Sequence, residues 1–294
     1  MNKKFFENNK VLTSNLIWFI ALLPIVMFST YKNGFLLVSG GHISLLRAFY
    51  YLYVPLLIII FSYLFEFVFY KFFKKEKTNR NIVNSTLPLY NVLCFLVTGP
   101  NDKVYMVLGV LFMVCLLSKI VKFNYIALFK IIIFIILSIY GGVNNANILQ
   151  STYNNEFGII DTIVGFGISE IGYTTLFAFC SYLILCFDNS YKKDIPIICM
   201  LSYFLFGLFC CYLNMYSLND FVLNSLNSGI VFVFVFIASA TLYSPVTFRQ
   251  KLIYGISLGV GSVLFINTIK FNLLIYIFVF VYSVILAIIN RKYK

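Results

Sequence analysis

Charged residues are scarce in this sequence, and residues arranged to hold a metal are scarcer still. Only 11% of the 294 residues are charged against 61% hydrophobic, and the mean hydropathy is +0.93. A chain of that composition has too little polar surface to cover a water-soluble fold, which excludes the soluble globular class. Histidine occurs once, as His42 in GGHISLL, with no ligand partner nearby. The seven cysteines, Cys94, Cys115, Cys180, Cys186, Cys199, Cys210 and Cys211, all lie in apolar runs and show no CxxC spacing. They read as buried small hydrophobes, so neither a metal centre nor a disulfide framework is expected. Tryptophan also occurs once, whereas Phe (34) and Tyr (22) are abundant, a bias of composition that carries little functional information. No cleavage site of small residues follows the first apolar stretch, which is itself as long as a membrane span and is expected to persist.

What the chain does have is a series of apolar runs near the twenty residues needed to cross a bilayer. Hydropathy, read with the Pro, Gly, Asn and charge breaks, places ten spans near 14–30, 47–70, 82–98, 103–121, 125–141, 161–187, 195–214, 222–243, 252–268 and 271–290. The basic residues alternate between the ends of these spans. Eighteen of the 22, including Lys3, Lys4 and Lys10, the loop 71–80, Lys119, Lys122 and Lys130, Lys192 and Lys193, and the C-terminal Arg291, Lys292 and Lys294, fall on one side. Lys32, Arg47, Lys103 and Lys270 fall on the other, whose longest loop, 142–160, has no Lys or Arg. Because cytoplasmic loops retain positive charge, both termini are expected in the cytoplasm. The net charge of +12 then reports topology in a multi-pass cell-membrane protein, and no nucleic-acid partner is needed to explain it.

The two halves resemble each other. Asn84-Ser85 matches Asn227-Ser228 at an offset of 143, and Pro100 matches Pro245 at 145, close to half the chain. Five spans per half is an odd number, so the second half would insert upside down: an all-α inverted 5+5 repeat, with residues 1–150 as the first unit and 151–294 as the second. Equivalent polar breaks of such repeats meet near the pseudo-two-fold axis. Asn84 and Ser85 of the first unit, with Asn227, Ser228 and Gly229 of the second, are therefore candidate binding residues, against the alternative of ordinary helix caps.

The stretch 161–187, DTIVGFGISEIGYTTLFAFCSYLILCF, is too long and too broken for one plain helix. Gly165, Gly167 and Gly172 suggest a lead-in before the helix proper. A carboxylate inside a span is costly, so Glu170 either faces a protein cavity or sits at the outer interface. Glu66, in SYLFEFVFY, is expected to pair with the basic loop that follows it.

Several stretches resemble the RnfD/NqrB family, membrane subunits of Rnf and sodium-pumping NADH:quinone reductase complexes. TSNLIWFIALLPIVMFSTYKNGF is similar to the family's first span, and IVNSTLPLYNVLCFLVTGPNDKVYMVLGVLFMVCLLSKIV to its third and fourth. KFNYIALF resembles the Phe-Asn-Pro-Ala-Leu stretch, with Tyr125 where proline is usual. DTIVGFGISEIGYTTLFAF is similar to the Gly-Ser-x-Gly-Glu-Thr-Ser segment through Gly172, Thr174 and Thr175. The stretch LNSGIVFVFVFIASATLYSPVTFRQKLIYGISLGVGSVLF resembles the Ser-Gly-Gly start, the Pro-Val-Thr turn that brings in Ser244 and Thr247, and the Leu-Ile-Tyr-Gly span. Departures are specific: Ala240 stands for the family's aspartate and Tyr173 for the glutamate before the Thr-Ser pair.

The resemblance implies a subunit of an electron-transport complex, holding a flavin (FMN or riboflavin) between helices and passing electrons within or across the membrane, with coupling to cation movement. Glu170, Gly172, Thr174, Thr175, Ser244 and Thr247 join the polar breaks as candidate flavin-binding residues; no catalytic or metal-binding residue is assigned. The outer loop GGVNNANILQSTYNNEFGIID lacks the family's Ser-x-Ala-Thr-type motif, Ser151-Thr152 being a poor match. A noncovalent flavin is expected in place of covalent FMN. Other membrane subunits, or an extracytoplasmic flavoprotein, are the implied partners. Two alternatives remain open: a channel or transporter on the same inverted repeat, and a membrane scaffold.

Overall fold

The computed structural model describes residues 3–41, 43–74, 85–99, 102–120, 124–139, 159–166, 170–240, 244–264 and 271–292. His42, Asn84, Pro100, Ser151 and Thr152, and with them the loops 75–84 and 140–158, lie outside the described residues. Twelve helical segments are used below: α1 (Lys3–Thr30), α2 (Tyr50–Phe69), α3 (Leu87–Leu96), α4 (Val104–Ile120), α5 (Tyr125–Ile139), α6 (Ile159–Val164), α7 (Thr175–Leu185), α8 (Asp194–Tyr212), α9 (Leu218–Asn227), α10 (Ile230–Phe232), α11 (Phe248–Leu264) and α12 (Phe271–Lys292). No strand occurs among the described residues.

Among the described residues, Val11–Ser39, Tyr50–Phe72 and Asp194–Tyr212 are long and apolar enough to cross a membrane singly. Each turns a stripe of large apolar side chains outward. On α1 the exposed stripe is Leu16, Ile20, Leu23 and Met27, whereas Trp18, Ala21, Leu22 and Ile25 on the opposite face are buried. On α8, Leu201, Leu205 and Leu208 are exposed while Cys199, Tyr203 and Cys210 are buried. Apolar residues at helical spacing on an outer surface require a lipid solvent, and the chain is a multi-pass helical membrane protein.

Three spans read from hydropathy are not single helices. The span 82–98 contains α3, which is only ten residues long and buried along its whole length. Ser85 Oγ accepts from the Leu87 amide at 3.1 Å and Pro88 occupies the first turn, so this helix begins where its free N–H groups are fewest. The span 161–187 divides into α6 and α7, in keeping with a lead-in before the helix proper. The span 222–243 bends by 56° between α9 and the helix that continues through Ala238. The break falls at Gly229, whose φ of +66° lies in the left-handed region that favours glycine. Beyond it Val233–Ala238 winds as a π-helix, every residue buried.

The first span runs longer than expected. α1 passes into a π-helical turn, Tyr31–Phe35, and a final turn, Leu36–Ser39, so Lys32 is not a loop residue but a buried helical one. Lys130 is corrected in the same sense: it lies within α5 and is buried, not beside the loop after the fourth span. Both leave the loop charge count, and the remaining basic residues keep their strong bias. Among the cysteines Cys94, Cys115, Cys199 and Cys210 are buried as expected, but Cys180 is exposed on the apolar surface and Cys186 and Cys211 are half-buried; all seven are free thiols.

The closest helix pair is α8 with α11. Gly255 and Gly259, one turn apart, admit α8 so closely that a Cβ on Gly259 would stand 2.6 Å from the Cys199 carbonyl oxygen and 2.0 Å from Ser202 Oγ. Ser202 Oγ in turn donates to the Gly255 carbonyl at 3.1 Å.

Candidate functional site

The interior of the bundle holds a junction where α3 stops and a non-helical segment, 170–174, passes its end. A helix terminus leaves carbonyls without intrahelical donors. Val97 and Thr98 return their own amides to Leu93 O and Phe95 O, and the next three carbonyls, those of Leu96, Val97 and Thr98, find donors from elsewhere. The Gly172 amide donates to Leu96 O at 2.7 Å and the Ile171 amide to Thr98 O at 3.1 Å. Val97 O receives the ammonium of Lys130 at 2.7 Å. That ammonium also meets Glu170 Oε1 at 2.8 Å, and the two side chains are 8% and 20% exposed. Gly172 is required by the closeness of the approach, because a Cβ there would lie 2.9 Å from Leu96 Cβ and 3.0 Å from Leu96 O.

More charge gathers around this pair. Asp102 accepts from the Gly99 amide through Oδ2 at 2.7 Å, while its buried Oδ1 has no hydrogen-bond partner. Its carboxylate lies within electrostatic range of both Lys130 and Glu170. Lys32, on the π-turn, is buried within electrostatic range of Glu170. One turn earlier on the same face, Ser29 Oγ donates to the Ile171 carbonyl at 2.5 Å. Next to Lys32, the Asn33 amide is fully buried with neither its nitrogen nor its oxygen bonded. Two cations and two carboxylates therefore balance inside the bundle, which lowers the cost of placing any of them there.

Beside the junction Tyr173 packs against the helix broken at Gly229. Its hydroxyl is 2.9 Å from that of Tyr276 on α12, and its ring packs against Phe232. The ring sits on Gly229, where a Cβ would come within 2.1 Å of it. Thr175 Oγ1 donates to Leu226 O at 3.0 Å, tying the start of α7 to the end of α9. Thr174 Oγ1 and Asn227 Oδ1 are buried in this neighbourhood without hydrogen-bond partners. Ser228 caps α9, its Oγ donating to Ser225 O at 3.0 Å.

The structure thus brings together Glu170, Gly172, Thr174, Thr175, Asn227, Ser228 and Gly229. It separates the others. Ser85 lies in a second polar cluster, donating to Glu66 Oε1 at 2.7 Å; Lys119 of α4 pairs with the same oxygen at 2.7 Å, and the basic loop expected to pair with Glu66 lies, over 75–84, outside the described residues. Ser244 is buried elsewhere, its carbonyl bonded by Lys192 Nζ at 2.5 Å, and Thr247 is exposed at the start of α11.

Sequence reasoning missed Lys130, Lys32, Asp102 and the Tyr173–Tyr276 pair. One signal was present: Lys130 interrupts YIALFKIIIFIILSI, and a lone lysine in such a run needs an internal partner. The helix broken at Gly229 is tied to α5, the helix that carries Lys130, since Asn124, just before its start, donates from Nδ2 to Ile237 O at 3.2 Å. Tyr191 OH donates to Val235 O at 2.9 Å.

A short buried helix and a helix broken at Gly229, packed with buried ion pairs inside an apolar-faced bundle, define a membrane protein with polar groups in its interior. The chain belongs to the NQR2, RnfD, RnfE family, whose model matches residues 4–291. This is a family of membrane subunits of Rnf- and Nqr-type complexes, and the general class of the chain is an electron-transport membrane subunit that works with other subunits. No curated protein matches the chain.

Proposed function

We propose that this chain is the membrane subunit of a flavin-dependent electron-transport complex, and that a noncovalent flavin is held where α7, α9 and the 170–174 segment meet. The family match across 4–291 carries the reading. The residues present fit a polar ring system in one respect: the Thr174 hydroxyl and the Asn227 side-chain oxygen, each next in sequence to a residue of the Thr175–Leu226 hydrogen bond, are buried and lack partners in the protein. A flavin, when bound, supplies the electron-carrying chemistry. The chain's own groups would bind its polar edge, and the apolar side chains around them would keep water out. Visible and fluorescence spectra of gently purified protein are expected to show flavin, and Thr174→Val is expected to reduce its retention, as an unpaired buried ligand group costs about 1–3 kcal/mol. Repeated purification without flavin would instead favour a channel or transporter, a reading supported by the helix broken at Gly229, or a scaffold for an extracytoplasmic flavoprotein.

The same reading includes ten spans, cytoplasmic termini, and halves 1–150 and 151–294 related by inversion. Single cysteines at Lys75 and Asn154 are expected to label from opposite faces of sealed membranes. Labelling from one face would reject the orientation.

A further inference from the structure

We propose that the ammonium of Lys130 is a tethered occupant of a monovalent-cation site, and that without it the junction binds a free alkali cation. The argument is independent of flavin binding. Unwound backbone carbonyls at the C-terminal end of a broken membrane helix are a recognised form of cation ligand, because the helix dipole leaves partial negative charge there. At the end of α3 one such carbonyl, Val97 O, points at a cation, and that cation is Lys130 Nζ at 2.7 Å. Glu170 Oε1 supplies a full negative charge at 2.8 Å. Tyr173 presents its ring with the nitrogen 6.0 Å from the centroid. Asp102 adds a carboxylate within electrostatic range, with its Oδ1 buried and unpartnered. The adjacent carbonyls, Leu96 O and Thr98 O, are taken by the Gly172 and Ile171 amides. The surroundings thus form an oxygen-lined position of net negative charge once the amine is removed. Lys32 is the other cation near Glu170, and in the intact chain the ammonium at Val97 O is that of Lys130.

A lysine at this point delivers one positive charge that cannot dissociate. The intact chain would therefore hold no free cation at the end of α3, and any cation passing through a complex of this kind would take another route.

The test is the thermal midpoint of the full-length protein in detergent, compared in sodium, potassium and choline chloride at equal ionic strength. The intact protein is expected to give the same midpoint in all three. Lys130→Met is expected to gain roughly 5 °C or more in sodium or potassium over choline, since a ligand bound only by the folded state raises its stability. Lys130→Met with Glu170→Gln is expected to fold and to lose that gain. Three results would overturn the proposal: equal midpoints for folded Lys130→Met in the three salts; failure of Lys130→Met to fold in either alkali salt while the double variant folds; or an alkali-specific gain in the intact protein that Glu170→Gln removes. Should neither variant fold, the comparison of the three salts with the intact protein still decides, because an alkali-specific gain there contradicts a site already filled.

Discussion

Glu170→Ala is expected to cost about 3 kcal/mol of stability, near the lower end of what breaking a buried ion pair costs, because the carboxylate is 20% exposed. The loss is not that of the bond alone. Truncation leaves the Lys130 ammonium in a bundle interior with Val97 O as its remaining hydrogen-bond acceptor, and brings it into imbalance with Lys32. A fall in the thermal midpoint of the detergent-solubilised protein measures the effect. Replacing both partners by apolar residues of similar volume, Lys130→Met with Glu170→Leu, is expected to restore most of the loss, since removing both charges also removes their desolvation. A single variant as stable as the parent would show that the pair contributes nothing.

Gly229→Ala is expected to be comparably damaging for a different reason. Its φ of +66° disfavours any side chain by about 1–2 kcal/mol. The new Cβ would also stand 2.1 Å from the Tyr173 ring, and overpacking of this kind costs about 1–3 kcal/mol more. Tyr173→Ala in the same chain should recover the steric part and leave the backbone part. The midpoints of the single and double variants separate the two.

That separation explains which features of the fold could be read from the sequence. The multi-pass class followed from composition alone, because no packing arrangement hides so much apolar surface from water. The divided span around Gly165–Gly172 was also legible, since glycine marks backbone breaks directly, whereas the polar residues 227–229 were legible as the start of a span and not as the bend inside it. Lys130 and Lys32 were not. Hydropathy assigns a lysine to the end of a span because an unpaired ammonium belongs there, and the partner that permits burial, Glu170, is forty residues from Lys130 in the chain. Similarly, Lys119 of α4 as a partner of Glu66 is revealed only by the packing of α2 on α4. The candidate site was partly legible: the segment 170–175 and the 227–229 break do meet, through the Thr175–Leu226 hydrogen bond, but nothing along the chain marked Tyr173, a departure from a motif, as the residue that packs on Gly229.

The shortness of α3 bears on how the chain enters the membrane as it is made. Ten residues of helix extend about 15 Å, half of a hydrocarbon core of about 30 Å, so α3 cannot rest in lipid with both ends satisfied. The carbonyls of Leu96, Val97 and Thr98 at and just beyond its end take their donors from Gly172, Lys130 and Ile171, all synthesised later. While those residues are still in the ribosome, α3 must be held by the insertion machinery or by water. Its membrane integration is therefore completed only after the chain has grown past Gly172, whereas α1 and α2 can insert as they emerge.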